Sequence, residues 1–140
     1  MMRKIFISLA CTILLAGCAA ATQQPVTKIT VEASDFTYDP VSISVPAGQP
    51  VTVMLKNIGK VEHDFVIDKI NLTNVEASES APAEHHQMDQ HEYDLHFFAK
   101  AGEIATLQFT AMEPGAYEIF CTIDGHREAG MIGELVVTAQ

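Results

Sequence analysis

Hydrophobic and polar residues alternate along most of the first half of this chain. Residues 29–33, 41–45 and 51–55 each carry apolar side chains at every second position. A period of two places successive side chains on opposite faces of a β-strand, so that one face is buried. The turn-forming residues 46–50, Pro-Ala-Gly-Gln-Pro, separate two of these segments. The pattern therefore predicts short strands joined by tight turns.

The second half of the chain repeats this pattern. Further strands are predicted at residues 64–67, 95–98, 104–109, 116–120 and 134–138. Seven or eight short strands bounded by Gly and Pro turns are typical of an all-β sandwich or barrel, for which we expect antiparallel pairing. A length of 140 residues is that of one domain, which argues against an enzyme with separate substrate and cofactor lobes.

The alternation stops between Lys69 and Asp94, where the chain is polar, acidic and rich in histidine. We expect residues 69–94 to form an exposed loop inserted in the sandwich, with at most a short helical turn at residues 71–77. Soft-metal donors in and beside this segment are His85, His86, Met88, His91 and His96. An accessory metal site is one interpretation of these donors. A solvated loop is preferred, because a flexible segment fixes no ligand geometry.

Residues 1–17 have the layout of a secretory signal peptide, in which Arg3 and Lys4 precede an apolar run too short to span a bilayer. The run ends in Leu-Ala-Gly-Cys, which resembles a bacterial lipobox and predicts cleavage before Cys18 and lipidation of that cysteine. A plain signal peptide cleaved among residues 19–21 is the alternative. We expect an exported protein that a lipid anchors to the periplasmic or extracellular face of a membrane.

After the leader, residues 18–26 are small and polar and predict a flexible tether, and residues 27–140 form the domain. The whole chain has a formal net charge of −10. Without Arg3 and Lys4 it keeps 6 basic and 18 acidic residues, a net charge of −12. Such an acidic surface repels nucleic acid and favours basic protein partners.

The predicted processing leaves one thiol in the exported domain. Cys11 is removed with the leader and Cys18 is consumed by the anchor, so Cys121 remains and no disulfide can form within the domain. A single cysteine in an oxidising compartment is usually buried or committed to a function such as metal binding.

Cys121, His126 and Met131 follow one another at steps of five residues between two predicted strands. A loop of this length can turn a thiol, an imidazole and a thioether towards one point. These donors suit copper that cycles between Cu(I) and Cu(II), held by one cysteine and two histidines with a weak axial methionine. His63, directly before a predicted strand, is the natural second histidine. For Cys121 or Met131 taken alone, packing in the core is the ordinary interpretation.

With these residues in view, the chain resembles the cupredoxin family, which includes plastocyanin, azurin and auracyanin. The resemblance extends over residues 27–140. Its other marks are Pro46-Ala47-Gly48, Asn57 and Gly59 ahead of His63, Ala101-Gly102-Glu103, Pro114-Gly115-Ala116-Tyr117 ahead of Cys121, and Gly130-Met131-Ile132-Gly133. The resemblance implies a Greek-key β-sandwich that holds one type 1 copper ion per chain, with His63, Cys121, His126 and Met131 as ligands.

The resemblance also implies a contact between Asp64, which follows the first ligand, and Thr122, which follows the cysteine. This contact would hold the ligand loop rigid. Relatives often have Asn at the position of Asp64, and a carboxylate there would favour Cu(II) and lower the reduction potential. Four residues separate Cys121 from His126, which is more than in plastocyanin and leaves the subfamily open.

These features predict an electron-transfer protein rather than an enzyme, because a preformed trigonal copper site changes little between its two redox states. By the resemblance, His126 lies at the molecular surface, and redox proteins dock beside it. We expect a monomer that does not bind nucleic acid. The alternative function is extracytoplasmic copper capture, storage or delivery, in which the histidine-rich segment loads the metal.

Overall fold

The computed structural model describes residues 26–78 and 93–140, and within these ranges the regular structure consists of β-strands alone. Ten strands are formed, namely β1 (Thr27–Ser34), β2 (Thr37–Asp39), β3 (Ser42–Pro46), β4 (Pro50–Asn57), β5 (His63–Ile67), β6 (Leu72–Ser78), β7 (Leu95–Ala99), β8 (Ile104–Ala111), β9 (Gly115–Phe120) and β10 (Ile132–Thr138). The predicted all-β fold is confirmed.

The strands form two five-stranded sheets that pack as a sandwich. The first sheet has the order β2-β1-β4-β8-β6 and the second has the order β3-β10-β9-β5-β7. Most neighbours are antiparallel, but β1 pairs with β4 and β3 pairs with β10 in parallel. The expectation of antiparallel pairing is therefore only partly right. Alternation along a strand reports which face is buried, whereas the direction of its neighbour depends on how the chain crosses between the sheets.

The core lies between the sheets and is built from the alternating positions. In β4 the side chains of Val51, Val53 and Leu55 are buried, and the residues between them are partly exposed. From the opposite sheet, the rings of Phe65 and Phe97 pack with their centroids 5.2 Å apart. Each such large apolar side chain contributes about 1.5–3 kcal/mol when fully buried, so this layer is a major source of stability.

Two strands were not predicted from the sequence, and both lie at the edge of the first sheet. The strand β2 has three residues, too few for a period to be read. The strand β6 falls within the predicted loop 69–94 and covers the segment 71–77 for which a helical turn was considered. That interpretation is wrong, because residues 72–78 pair with β8 through a bulge between Thr73 and Glu76. Its residues are almost all exposed, which explains the missing apolar alternation.

Several predicted features lie outside the described residues. They are the leader 1–17, the lipidated Cys18, the tether up to residue 25, and the histidine-rich residues His85, His86, Met88 and His91. Among residues 26–78 and 93–140, the structure contains no helix with the length and hydrophobicity needed to cross a membrane.

Candidate metal centre

The four proposed ligands are brought to one end of the second sheet by strand pairing. His63 is the first residue of β5, Cys121 directly follows β9, and Met131 directly precedes β10. The strand β9 runs antiparallel to both neighbours, and its last residue, Phe120, pairs with Val66 of β5 and with Ile132 at the beginning of β10. The β9–β10 connection contributes His126. The sheet therefore fixes three of these residues and the short connection carries the fourth.

The donor atoms of three of these residues lie close together. The ligand atoms of His63, Cys121 and His126 are all within 4.8 Å of one another. Cys121 Sγ is 3.4 Å from His126 Nδ1, and the two histidine rings have centroids 5.1 Å apart. Each of the three side chains is buried. This is the compact arrangement that one metal ion requires.

Met131 is tied to the same cluster through the backbone. Its N–H donates to the carbonyl of His126 at 3.0 Å, and its own carbonyl accepts from the N–H of Cys121 at 3.3 Å. The Met131 side chain is fully buried. The two bonds close the ligand loop, so that the methionine lies beside the cysteine and the histidine with which it was grouped from sequence.

The buried His63 side chain tests whether the residues fit a metal ion. Both ring nitrogens of His63 are inaccessible to solvent and lack a hydrogen-bond partner. Leaving a buried polar group unsatisfied costs about 1–3 kcal/mol, so such a group indicates a missing ligand. One thiolate, two imidazoles and one thioether form the donor set of a type 1 copper centre, and the residues present fit one copper ion.

Burial sets the protonation of two of the ligands. Burial, assisted by the nearby charge of Asp64, raises the pKa of the Cys121 thiol to about 12. Burial also lowers the pKa of His63, and the neighbouring His126 lowers it further. Metal binding requires a thiolate and neutral imidazoles. His63 is therefore already in the form that binds metal, whereas the thiol must release its proton when metal binds.

Asp64 links β5 to the ligand loop. Its carboxylate accepts hydrogen bonds from the backbone N–H of Thr122 at 2.7 Å, from the Thr122 hydroxyl, and from His96 Nε2 at 3.1 Å. Burial would raise the pKa of Asp64, but the bonds from His96 and Thr122 outweigh it, and the pKa lies below its usual value. The Tyr38 hydroxyl also donates to the Asp64 carbonyl at 2.5 Å. The expected contact between Asp64 and Thr122 is thus present, with a carboxylate as the acceptor.

Comparison with known proteins places this geometry in a family. The sequence profile described as "Cupredoxin-like domain" matches residues 5–98, which is more than half of the chain. The chain belongs to the cupredoxin-like family.

Individual relatives match a larger share of the chain. The chain is 33% identical over 121 residues to the copper-resistant cuproprotein CopI of Rubrivivax gelatinosus, covering 86% of this chain and 70% of that protein. It is 30% identical over 122 residues to auracyanin A of Chloroflexus aurantiacus, covering 81% of this chain and 75% of that protein. The reduced auracyanin of Roseiflexus castenholzii superimposes with a TM-score of 0.62 and 26% identity, covering 80% of this chain and 97% of that chain. Together with the donor set, this family assigns one copper ion per chain as the cofactor.

In this cupredoxin-like domain, His96 is not part of a loop. It was grouped with the soft-metal donors of the histidine-rich segment, but it lies in β7 opposite Val66 and its ring nitrogen bonds to Asp64. Its side chain is only 21% exposed. The strand pairing therefore directs His96 to the surroundings of the copper ligands, and its hydrogen bond to Asp64 could not be seen from the sequence because 32 residues separate the two.

His126 lies close to the molecular surface, as the family resemblance implies. His126 retains 7% exposure, and its ring packs against that of Phe36 in a T-shaped arrangement, with a centroid distance of 5.0 Å and an interplanar angle of 82°. Phe36 and Ile132 are exposed apolar residues beside the ligand loop. The sequence analysis missed Phe36. An aromatic residue in the short Ser-Asp-Phe-Thr connection was the only local signal, and it does not reveal a contact 90 residues away.

Proposed function

We propose that this protein is an extracytoplasmic electron carrier that holds one type 1 copper ion between His63, Cys121, His126 and Met131. The observation that carries the proposal is a buried set of donors whose backbone is held by strand ends and by hydrogen bonds within the ligand loop. Copper supplies one reversible electron at such a site. The chain keeps the donors in place in both redox states, because strand ends and the Asp64–Thr122 contact hold the loop.

The proposed route for the electron is through His126. Among the described ligands, it retains measurable exposure, whereas His63, Cys121 and Met131 retain 0 or 1%. The exposed Phe36 and Ile132 offer an apolar surface next to it, on which a redox protein could dock. The strongly acidic chain favours redox partner proteins with basic surfaces, both those that donate the electron and those that accept it. We also propose that the protein works as a monomer, is exported, and is anchored through lipidated Cys18.

A second function is supported by one comparison. The relative from Rubrivivax gelatinosus is named as a copper-resistant cuproprotein, and this chain carries a histidine-rich segment in addition to the buried ligands. The alternative is therefore copper capture, storage or delivery at the cell envelope. A delivery protein must give up its metal to an acceptor, whereas an electron carrier must retain it through many redox cycles.

The deciding experiment measures colour, stoichiometry and copper retention together. The oxidised wild-type protein should show intense thiolate-to-copper charge-transfer absorption, contain one copper per chain at neutral pH, and exchange electrons repeatedly without losing metal to a Cu(I) chelator. Cys121→Ser should be colourless and folded. Replacement of residues 79–92 by a short Gly-Ser linker should change none of these properties, since this segment contains none of the four proposed ligands. Colourless Cu(II) protein would refute the type 1 centre.

The alternative function, copper handling, predicts the opposite results. Two or more tightly held copper ions, loss of the additional ions in the 79–92 replacement, and ready transfer of copper to the chelator would favour copper handling over electron transfer. A histidine must be neutral to bind metal, so the additional copper should be released first as the pH falls.

A further inference from the structure

The turn between β1 and β2 touches both histidines of the copper site. Ser34 and Thr37 form the last pair of this hairpin, so that Asp35 and Phe36 alone make the turn. The Phe36 ring contacts His126, as described above. The Asp35 carboxylate lies on the other side and faces His63. Two adjacent turn residues therefore approach two ligands that are distant from them in sequence.

Asp35 Oδ1 lies 3.6 Å from His63 Nε2. This separation is slightly longer than a hydrogen bond, and His63 Nε2 has no other partner. Because Nε2 points to the turn, Nδ1 is the ring nitrogen left for the metal. The Asp35 carboxylate is therefore the acceptor available to the His63 N–H when copper occupies the other nitrogen.

Gly59 makes room for this approach. A Cβ atom at residue 59 would lie 2.7 Å from Asp35 Oδ1 and 2.7 Å from His63 Nε2, closer than real Cβ contacts. The Gly59 N–H donates to Asn57 Oδ1 at 2.9 Å, and the Asn57 amide donates to the carbonyl of Val61, which shapes the loop ahead of His63. The missing side chain thus leaves a gap at the point where the carboxylate and the imidazole meet.

The turn is held in position by further contacts. The Lys60 N–H donates to Asp35 Oδ1 at 3.1 Å. Phe36 has a φ of 71°, in the left-handed region that non-glycine residues rarely adopt, and the fold maintains this conformation with the Phe36 ring against His126. The Ser34 and Thr37 hydroxyl groups lie 2.7 Å apart across the hairpin. These contacts hold the carboxylate on the side of His63 although Asp35 itself is exposed.

We propose that Asp35 is a positioning residue for the copper site, whose carboxylate accepts the Nε2–H hydrogen bond of His63 in the copper-loaded protein. The inference deepens the proposed function and rests on its ligand set. An acceptor behind a metal-bound imidazole fixes the ring orientation and raises the basicity of the ligand. A charged acceptor also stabilises the more positive metal state, so that Asp35 lowers the reduction potential.

The test compares Asp35→Asn, Asp35→Ala and the control Asp68→Asn. The control removes the same charge just beyond the far end of β5, about 16 Å along the strand from His63. Asp35→Asn keeps an oxygen acceptor without its charge and should raise the potential while retaining copper affinity. Asp35→Ala should raise the potential and also weaken copper binding by about 10-fold, the lower end of the range for such partners. Asp68→Asn should change neither property.

A spectroscopic readout separates positioning from general stability. In the reduced protein, the His63 Nε2–H proton should be observed by NMR in the wild type and in Asp35→Asn, and should exchange faster in Asp35→Ala. The proposal is overturned when Asp35→Ala matches Asp68→Asn in potential, affinity and proton exchange. It is also overturned when the Asn and Ala variants lose affinity equally. Wild-type protein that fails to form a blue copper site would instead overturn the proposed function together with this inference.

Discussion

The carboxylate of Asp64 is expected to be the strongest single connection between the sandwich and the ligand loop. Asp64 and Thr122 are 58 residues apart, and the described contacts join them through both the backbone N–H and the hydroxyl of Thr122. Replacement by alanine removes the acceptor for both donors and for His96. The matched variant is Asp64→Asn, which keeps an oxygen for the backbone N–H and adds an NH₂ group that can donate to the hydroxyl.

The hydrogen bonds of Asp64 determine how much stability each variant loses. A hydrogen bond to a charged group contributes about 1.5–3 kcal/mol. The Thr122 N–H bond is lost in full in the alanine variant, whereas the hydroxyl and the partly exposed His96 regain some hydrogen bonding from water. The buried carboxylate is also costly to desolvate, and its removal offsets part of this destabilisation. We therefore expect Asp64→Ala to lower the free energy of unfolding by about 3 kcal/mol and Asp64→Asn to lower it by about 1 kcal/mol.

The measurement is urea unfolding of the copper-free protein at neutral pH. The chain contains no Trp, so far-UV circular dichroism is the suitable signal. Both variants should shift the midpoint with little change in the dependence on urea, because the surface exposed on unfolding is nearly the same. A loss below about 1 kcal/mol in Asp64→Ala, or equal losses in the two variants, would show that these hydrogen bonds do not anchor the ligand loop.

Three further predictions concern separate parts of the molecule. Met131→Gln should lower the reduction potential and Met131→Leu should raise it, since the axial ligand tunes a type 1 site; equal potentials in voltammetry of all three proteins would make Met131 a core residue only. Tyr38→Phe removes the bond to the Asp64 carbonyl and should cost about 1 kcal/mol in urea unfolding while the blue absorption persists; a colourless variant would contradict this. Cys18→Ala should abolish membrane fractionation, whereas an unmodified N-terminus downstream of Cys18, detected by mass spectrometry in the wild type, would refute the anchor.

The apolar pattern located eight of the ten described strands. Most of them, such as β4, alternate between the core and the more exposed face, whereas β5 is buried at every position. The pattern failed for β2 and β6, which are edge strands. An edge strand is held by backbone hydrogen bonds on one side and needs few apolar residues, so its sequence resembles that of a loop. The pattern also carried no information on the parallel pairs of β1 with β4 and of β3 with β10.

The chemistry of the ligands was determined by the sequence alone. Cys121, His126 and Met131 lie on one short connection, and only a few donor sets combine a thiol, an imidazole and a thioether. Their spacing therefore predicted a copper site before any distance was known. The predicted removal of Cys11 and lipidation of Cys18 likewise rest only on the order of residues at the N-terminus, and they stay predictions.

The surroundings of the ligands were decided by the tertiary structure. Asp35, Phe36 and His96 reach the site from a hairpin turn and a neighbouring strand, and no local pattern connects them to His63, His126 or Asp64. Such contacts depend on which strands become neighbours and on which side chains the register turns towards each other. A strand pattern states that a face is buried, whereas only the packed sandwich determines which polar groups meet at its end.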